Sequence, residues 1–256
     1  MPFVLGFVTA GGAFASTIFV GNNSFENTSP GYGNPPGWTL FTDSASPTFS
    51  SNVQIAPNDG SIFPVVTGVD GAQFAAVDID HNSVSPDNPV PVVPPNGSLA
   101  GLVSDDLGTF AANTLYTLTA SLGFQYGDGG LNIGLALGTG APGLADVFPA
   151  PDPSFASGLI NGSNFTGGVM QDYTITLDTA QFTGLVGQSI DASLIFQSGD
   201  TFGQEAFFDN VSLSSQDDAP EPSSLMLGGI GLVLLLVSRK AHQAFAAAAA
   251  SRQKLS

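Results

Sequence analysis

Apolar and polar residues alternate in short runs along most of this chain, and the runs are separated by turn-forming residues. "LYTLTASLGF" (115–124), "LNIGLALG" (131–138), "YTITLD" (173–178) and "ASLIF" (192–196) carry the two-residue period of half-buried strands. "STIFV" (16–20), "VQIA" (53–56), "FAAVDI" (74–79) and "AFFDNVSLS" (206–214) are further strand candidates. Between them lie Pro57-Asn58-Asp59-Gly60, Gly127-Asp128-Gly129-Gly130, Asn161-Gly162-Ser163 and Gly199-Asp200, residues that supply tight turns. No segment before Ser223 shows the 3.6-residue apolar period of a helix. Many short strands joined by Gly- and Pro-rich turns predict an all-β domain, an antiparallel β-sandwich of jelly-roll type. The stretch 83–98 holds five prolines (86, 89, 91, 94 and 95) and reads as an extended loop. It does not divide the domain, because neither half has enough strands to close a core.

Charge sharpens this picture. The chain of 256 residues has 21 acidic and four basic side chains, a formal charge of −17. The four cations, Arg239, Lys240, Arg252 and Lys254, all follow residue 238. A nucleic-acid binder neutralises phosphates with Lys and Arg, so that class is excluded. Arginine clamps, phosphate-loop lysines and Schiff-base lysines are excluded for the same reason. An acidic surface of this kind attracts cations. With no cysteine in the chain, disulfides, zinc–thiolate sites and thiol nucleophiles are absent as well.

The two ends differ from the middle. "FVLGFVTAGGAFAS" (3–16) is a short apolar run ending in Ala13-Phe14-Ala15, a small-x-small cleavage pattern that makes Ser16 the mature start. No Lys or Arg precedes the run, so residues 1–15 read as a signal peptide truncated at its N-terminus, the alternative being a core strand. Near the other end, "PEPSSLMLGGIGLVLLLVSRK" (220–240) joins Pro220-Glu221-Pro222 to a charge-free stretch and a basic stop, Arg239-Lys240. The apolar run from 225 to 237 is short of the ~20 residues of a full membrane span. Its basic flank favours a cytoplasmic C-terminus. In this order the three parts resemble the PEP-CTERM sorting signal of Gram-negative bacteria. The resemblance implies a C-terminal hydrophobic helix acting as a transient inner-membrane anchor over 219–240. It also implies an exosortase-type processing enzyme that cleaves near the Pro-Glu-Pro motif, then release or transfer to the cell surface or extracellular matrix. The family's signal usually ends soon after the basic residues, whereas here an Ala-rich tail, expected to be cytoplasmic, continues over 241–256.

The ectodomain, 16–218, carries a second resemblance. "NNSFENTSPGYGNPPGWTLF" (22–41) is similar to the opening of jelly-roll, galactose-binding-like carbohydrate-binding modules, and "FFDNVSLS" (207–214) to their closing strand. In such modules the first and last strands run side by side, and the opening Glu and closing Asp often share a structural calcium. By motif those residues are Glu26 and Asp209. Calcium takes six to eight oxygen ligands, which carboxylates and backbone carbonyls supply. Since the ectodomain has no Lys or Arg, an inward carboxylate must be met by a metal or by water. The competing reading leaves both carboxylates solvated at strand ends. Sugar stacking in such modules uses aromatic faces, which nominates Trp38 and Tyr126, with Tyr32 and Phe124 as alternatives. A single Trp within "GWTLF" is more often a core residue.

Other candidates are less specific. Asp78 and Asp80 share a strand face next to His81, which suits a metal site or an acid–base pair. A strand running into a polar loop explains them as well. Asp105-Asp106 reads as a strand end and Asp128 as a turn residue. A serine triad would have to use His81, and no Gly-x-Ser-x-Gly elbow supports one. Paired acids for glycoside cleavage could fall anywhere in so acidic a domain. The expectation is therefore an exported, non-catalytic surface or matrix protein that binds exopolysaccharide of a biofilm. Its alternatives are a purely structural calcium-binding surface protein and, behind that, a polysaccharide hydrolase.

Overall fold

In a computed structural model the described residues are 15–43, 50–80, 99–125, 132–142, 155–197 and 205–217. They form twelve strands: β1 (Ala15–Ile18), β2 (Gly31–Tyr32), β3 (Trp38–Asp43), β4 (Ser50–Pro57), β5 (Gln73–Asp80), β6 (Leu99–Ser104), β7 (Thr114–Phe124), β8 (Asn132–Gly138), β9 (Phe155–Asn161), β10 (Gln171–Asp178), β11 (Asp191–Gln197) and β12 (Glu205–Asp217). One sheet has the order β10-β7-β12-β5-β4-β2, with β1 paired to β12; the other runs β3-β6-β11-β8-β9. Every strand pair is antiparallel. This is the expected all-β sandwich. β2, β3, β6 and β9 add to the strands expected from alternation. The hydrophobic helix expected in 219–240, the tail and residues 1–14 of the expected signal peptide lie outside the described residues, whereas Ala15, its last residue, opens β1. Among the described residues no helix is long and apolar enough to cross a membrane.

The main core lies between the sheets. Leu118, Leu122, Phe208 and Leu213 from the first sheet pack in one buried cluster with Leu102, Leu135, Leu194 and Phe196 from the second. Each fully buried side chain of this size contributes roughly 1.5–3 kcal/mol. A smaller cluster sits on the opposite face of the first sheet, where Phe63 and Val66 of the 58–72 connection cover Phe74, Ala76 and Phe207. The Phe74 and Phe207 rings lie 4.7 Å apart, and Phe63 is 5.3 Å from Phe207. Asn58 holds this connection down: its amide donates to Val66 O at 2.9 Å and accepts from Val66 N at 2.7 Å. The chain is thereby delivered, in a fixed place, to the start of β5.

β12 is the hinge of the architecture. On one edge it pairs with β7 along nearly its whole length. On the other it pairs first with β5 (Glu205–Phe208) and then with β1 (Leu213–Gln216). Between these partners the register shifts by one residue, since Asp209 faces Ser121 and Ser212 faces Thr119. Phe207 anchors the outer cluster from β12, so Phe207→Ala is expected to destabilise the domain by about 3–5 kcal/mol, read as the midpoint shift in chemical denaturation.

Candidate functional site

The gap on β12 between β5 and β1 is filled by the loop that follows β1. Val211 N donates to Asn23 O at 2.8 Å, tying that loop to the bulge. Within the loop, Asn22 accepts from Phe25 N through its carbonyl (3.1 Å) and from Asn27 N through Oδ1 (2.9 Å). Asn22, Phe25 and Asn210 all have positive φ, at 48°, 57° and 48°. For a bulky residue such as Phe25 that conformation is strained, and strain of this kind gathers at functional sites. Burial holds Phe25 there: its ring is fully buried and 5.7 Å from Trp38.

Glu26 and Asp209 meet at this gap. Glu26 Oε1 accepts from Ala72 N at 2.6 Å and Gln73 N at 2.7 Å, and Gln73 Nε2 approaches Oε2 at 3.5 Å. Gly71 makes the approach possible: with φ at +91°, a Cβ there would stand 2.5 Å from Glu26 Oε1. Asp209 has no exposed surface, and its Oδ2 accepts from Asp70 N at 2.5 Å. Burial pushes the Asp209 carboxyl up to about 7; backbone donors at Asp70 and Asn210 pull it down, while the charges of Asp70 and Glu26 raise it further. Asp209 Oδ1, Gln73 Oε1 and Asn22 Nδ2 are buried with no hydrogen-bond partner. Two unpaired acceptor oxygens beside a half-buried glutamate form an acceptor-rich site that suits a hard cation. Among the described residues no three His, Cys, Asp or Glu side chains converge on a metal position, so amide and backbone oxygens would have to complete any shell. Asp70 and Gln73 escaped the sequence reading; the signal was "VDGAQ" (69–73), an Asp-Gly turn opening a strand.

The other candidates fall elsewhere. Trp38 is 2% exposed, packs on Phe25 and donates from Nε1 to Gly21 O at 3.1 Å. A ring enclosed in this way has no face to offer a sugar, so the sugar-stacking expectation for Trp38 is corrected to a core role. Phe124 is also core, at 1% exposed, whereas Tyr32 on the sheet-edge strand β2 is 79% exposed. Tyr126, Asp128, His81 and the sorting residues Pro220, Glu221, Pro222, Arg239 and Lys240 lie outside the described residues. Asp78 stands directly opposite Glu205 in the β5–β12 ladder. Glu205 is pushed up to about 7, by burial first and by the Asp78 charge second. Sequence alone could not pair these two, because 126 intervening residues hide the register.

Comparisons with known proteins cover both the sandwich and the C-terminal segment. The HpiC1 cyclase family model matches residues 16–214. The chain belongs to the HpiC1-like family. A second model, the PEP-CTERM protein-sorting motif, matches residues 218–240, which marks this HpiC1-like protein for export and exosortase-mediated surface sorting. No curated protein matches the chain. Among solved structures, a cyclase from Fischerella sp. TAU is 20% identical with a TM-score of 0.51, covering 79% of this chain and 98% of that one. The same organism's cyclase in complex with 4-(1H-indol-3-yl)butan-2-one gives 20% and 0.51, over 78% and 97%. TmCBM61 in complex with β-1,4-galactotriose is 13% identical with a TM-score of 0.42, over 77% and 97%. At these identities the cyclase structures support the HpiC1-like fold and nothing finer, and the TmCBM61 likeness is too distant to be used.

The two raised carboxyls fix a pH dependence. Each has a folded value near 7, above its unfolded value of 3.8 (Asp209) or 4.5 (Glu205). In EDTA their contribution to stability is therefore complete below those unfolded values and is lost as pH rises towards 7. Melting temperature should fall over that interval, Asp209→Asn or Glu205→Gln should each reduce the slope, and the double variant should leave it nearly flat.

Proposed function

We propose that this chain is an exported, non-catalytic protein of the bacterial surface or extracellular matrix, whose sandwich is braced by a calcium ion at Glu26 and Asp209. The observation that carries this reading is the fully buried Asp209 with Oδ1 unpartnered, beside Glu26, in a domain with no Lys or Arg. A buried carboxylate without a cation is costly. Glu26, Asp209 and the side-chain oxygen of Gln73 would hold the ion, with backbone carbonyls and water completing six to eight ligands. When bound, calcium supplies positive charge that would join β12, the start of β5 and the loop after β1. Supporting a structural role, Asp209 is closed to solvent and Glu26 is committed to two backbone donors, which leaves neither free to act on a substrate. The sorting motif would hold the precursor at the inner membrane until processing releases it outwards.

With calcium ~100-fold above its Kd, EDTA should lower the melting temperature of the domain by roughly 5–10 °C. Glu26→Gln should erase that difference, and Gln73→Leu should shrink it. A melt insensitive to EDTA would leave Asp209 as a protonated acid and reject the ion.

A second reading, a glycan-binding matrix protein, is favoured by one observation: Tyr32 presents an exposed aromatic ring at the sheet edge. It predicts selective binding to a few glycans on an array, lost in Tyr32→Ala without a change in melting temperature. Absence of binding with and without calcium would leave the purely structural role.

A further inference from the structure

β1 and β12 meet at a corner that matters for processing. Their antiparallel register sets Ala15 against Gln216, Ser16 against Ser215, Thr17 against Ser214 and Ile18 against Leu213. The Ser16 and Ser215 hydroxyls lie 2.7 Å apart. The folded strand continues to Asp217, and the sorting motif begins at 218. Only Asp218 and Ala219 separate the last ladder residue from Pro220.

A peptidase binds its substrate as an extended chain, often by adding it to its own sheet through backbone hydrogen bonds. Two residues between a folded strand and the motif give little chain to grip on the N-terminal side. The residues that would have to be lent are those at the end of β12, and their hydrogen-bonding edges are occupied by β1 on one side and β7 on the other. β1 is the weaker clasp: it is four residues long, mostly exposed, and it leaves the sheet's continuous path. Terminal strands of this kind open locally at small cost, while β7 is buried and long.

We infer that β1 is a latch over the end of β12, whose opening sets the rate at which the sorting segment is processed. This rests on the reading of 218–240 as a processed signal. With the latch closed, residues 213–217 stay paired in the sheet; with it open, they become extended substrate. Since cleavage needs the open form, its rate scales with the open fraction.

The test uses the full chain in a cell that carries the processing enzyme, with loss of the C-terminal segment followed by pulse-chase and mass spectrometry. Thr17→Cys with Ser214→Cys places a disulfide across two register partners in a chain that has no other cysteine, and an oxidising periplasm closes it. The stapled chain is expected to lose its tail about tenfold more slowly or worse, and to recover the parent rate in dithiothreitol. A six-residue Gly/Ser spacer after Asp218 should restore the rate while the staple stays closed. Thr17→Pro, which removes a ladder donor from β1, should speed processing. Equal rates for the parent, stapled and Thr17→Pro chains would overturn the latch. If the parent itself keeps Ser256, the sorting reading fails and the latch falls with it.

Discussion

A carboxylate sealed inside a domain that contains no Lys or Arg is the constraint on which this structure turns. Asp209 has no exposed surface, and every side-chain cation of the chain lies beyond residue 238. Its charge can be met by backbone N–H groups, a proton or a metal ion. The surroundings supply the first in part, through Asp70 and Asn210. What they do not supply is a partner for Oδ1. The left-handed residues at 22, 25 and 210 gather around this point, so backbone strain, an unpaired oxygen and a second carboxylate coincide where β12 changes partners.

The consequences spread outward through the connections that serve the site. Asn58 and the Phe63–Phe74–Phe207 cluster hold the 58–72 segment against the sheet, which places the N–H groups of Asp70, Ala72 and Gln73. On the other side, Trp38 and Phe25 hold the loop carrying Glu26. Two hydrophobic devices on separate segments thus position one polar centre. This is why Trp38 belongs to the site's support although it touches no ligand-accessible surface.

Much of the fold was legible in alternation, because strands with one face on the core must alternate. β2, β3, β6 and β9 were not: β2 is only two residues long, and β6, "LAGLVS", is buried along most of both faces and so has little polar signal to alternate with. Glu26 and Asp209 were legible only through a resemblance at the two ends of the domain. Their neighbours Asp70 and Gln73 were hidden, since what recruits them is a backbone turn and a long-range hydrogen bond rather than a motif. Trp38 was ambiguous for a plain reason: indole serves equally as core and as platform, and burial alone separates the two. The Asp78–Glu205 pair depends on register between distant strands, which composition cannot convey.

The bulge on β12 also constrains how this chain can change. Before it, Phe208 points into the core; after it, Val211 and Leu213 do, an odd step that regular alternation would forbid. The extra residue that opens room for Asp209 is the same one that returns the strand's apolar side to the interior. A deletion here would not merely remove a polar site: it would turn Val211 and Leu213 to solvent. The segment from 209 to 212 is thus fixed in length even where its chemistry could vary.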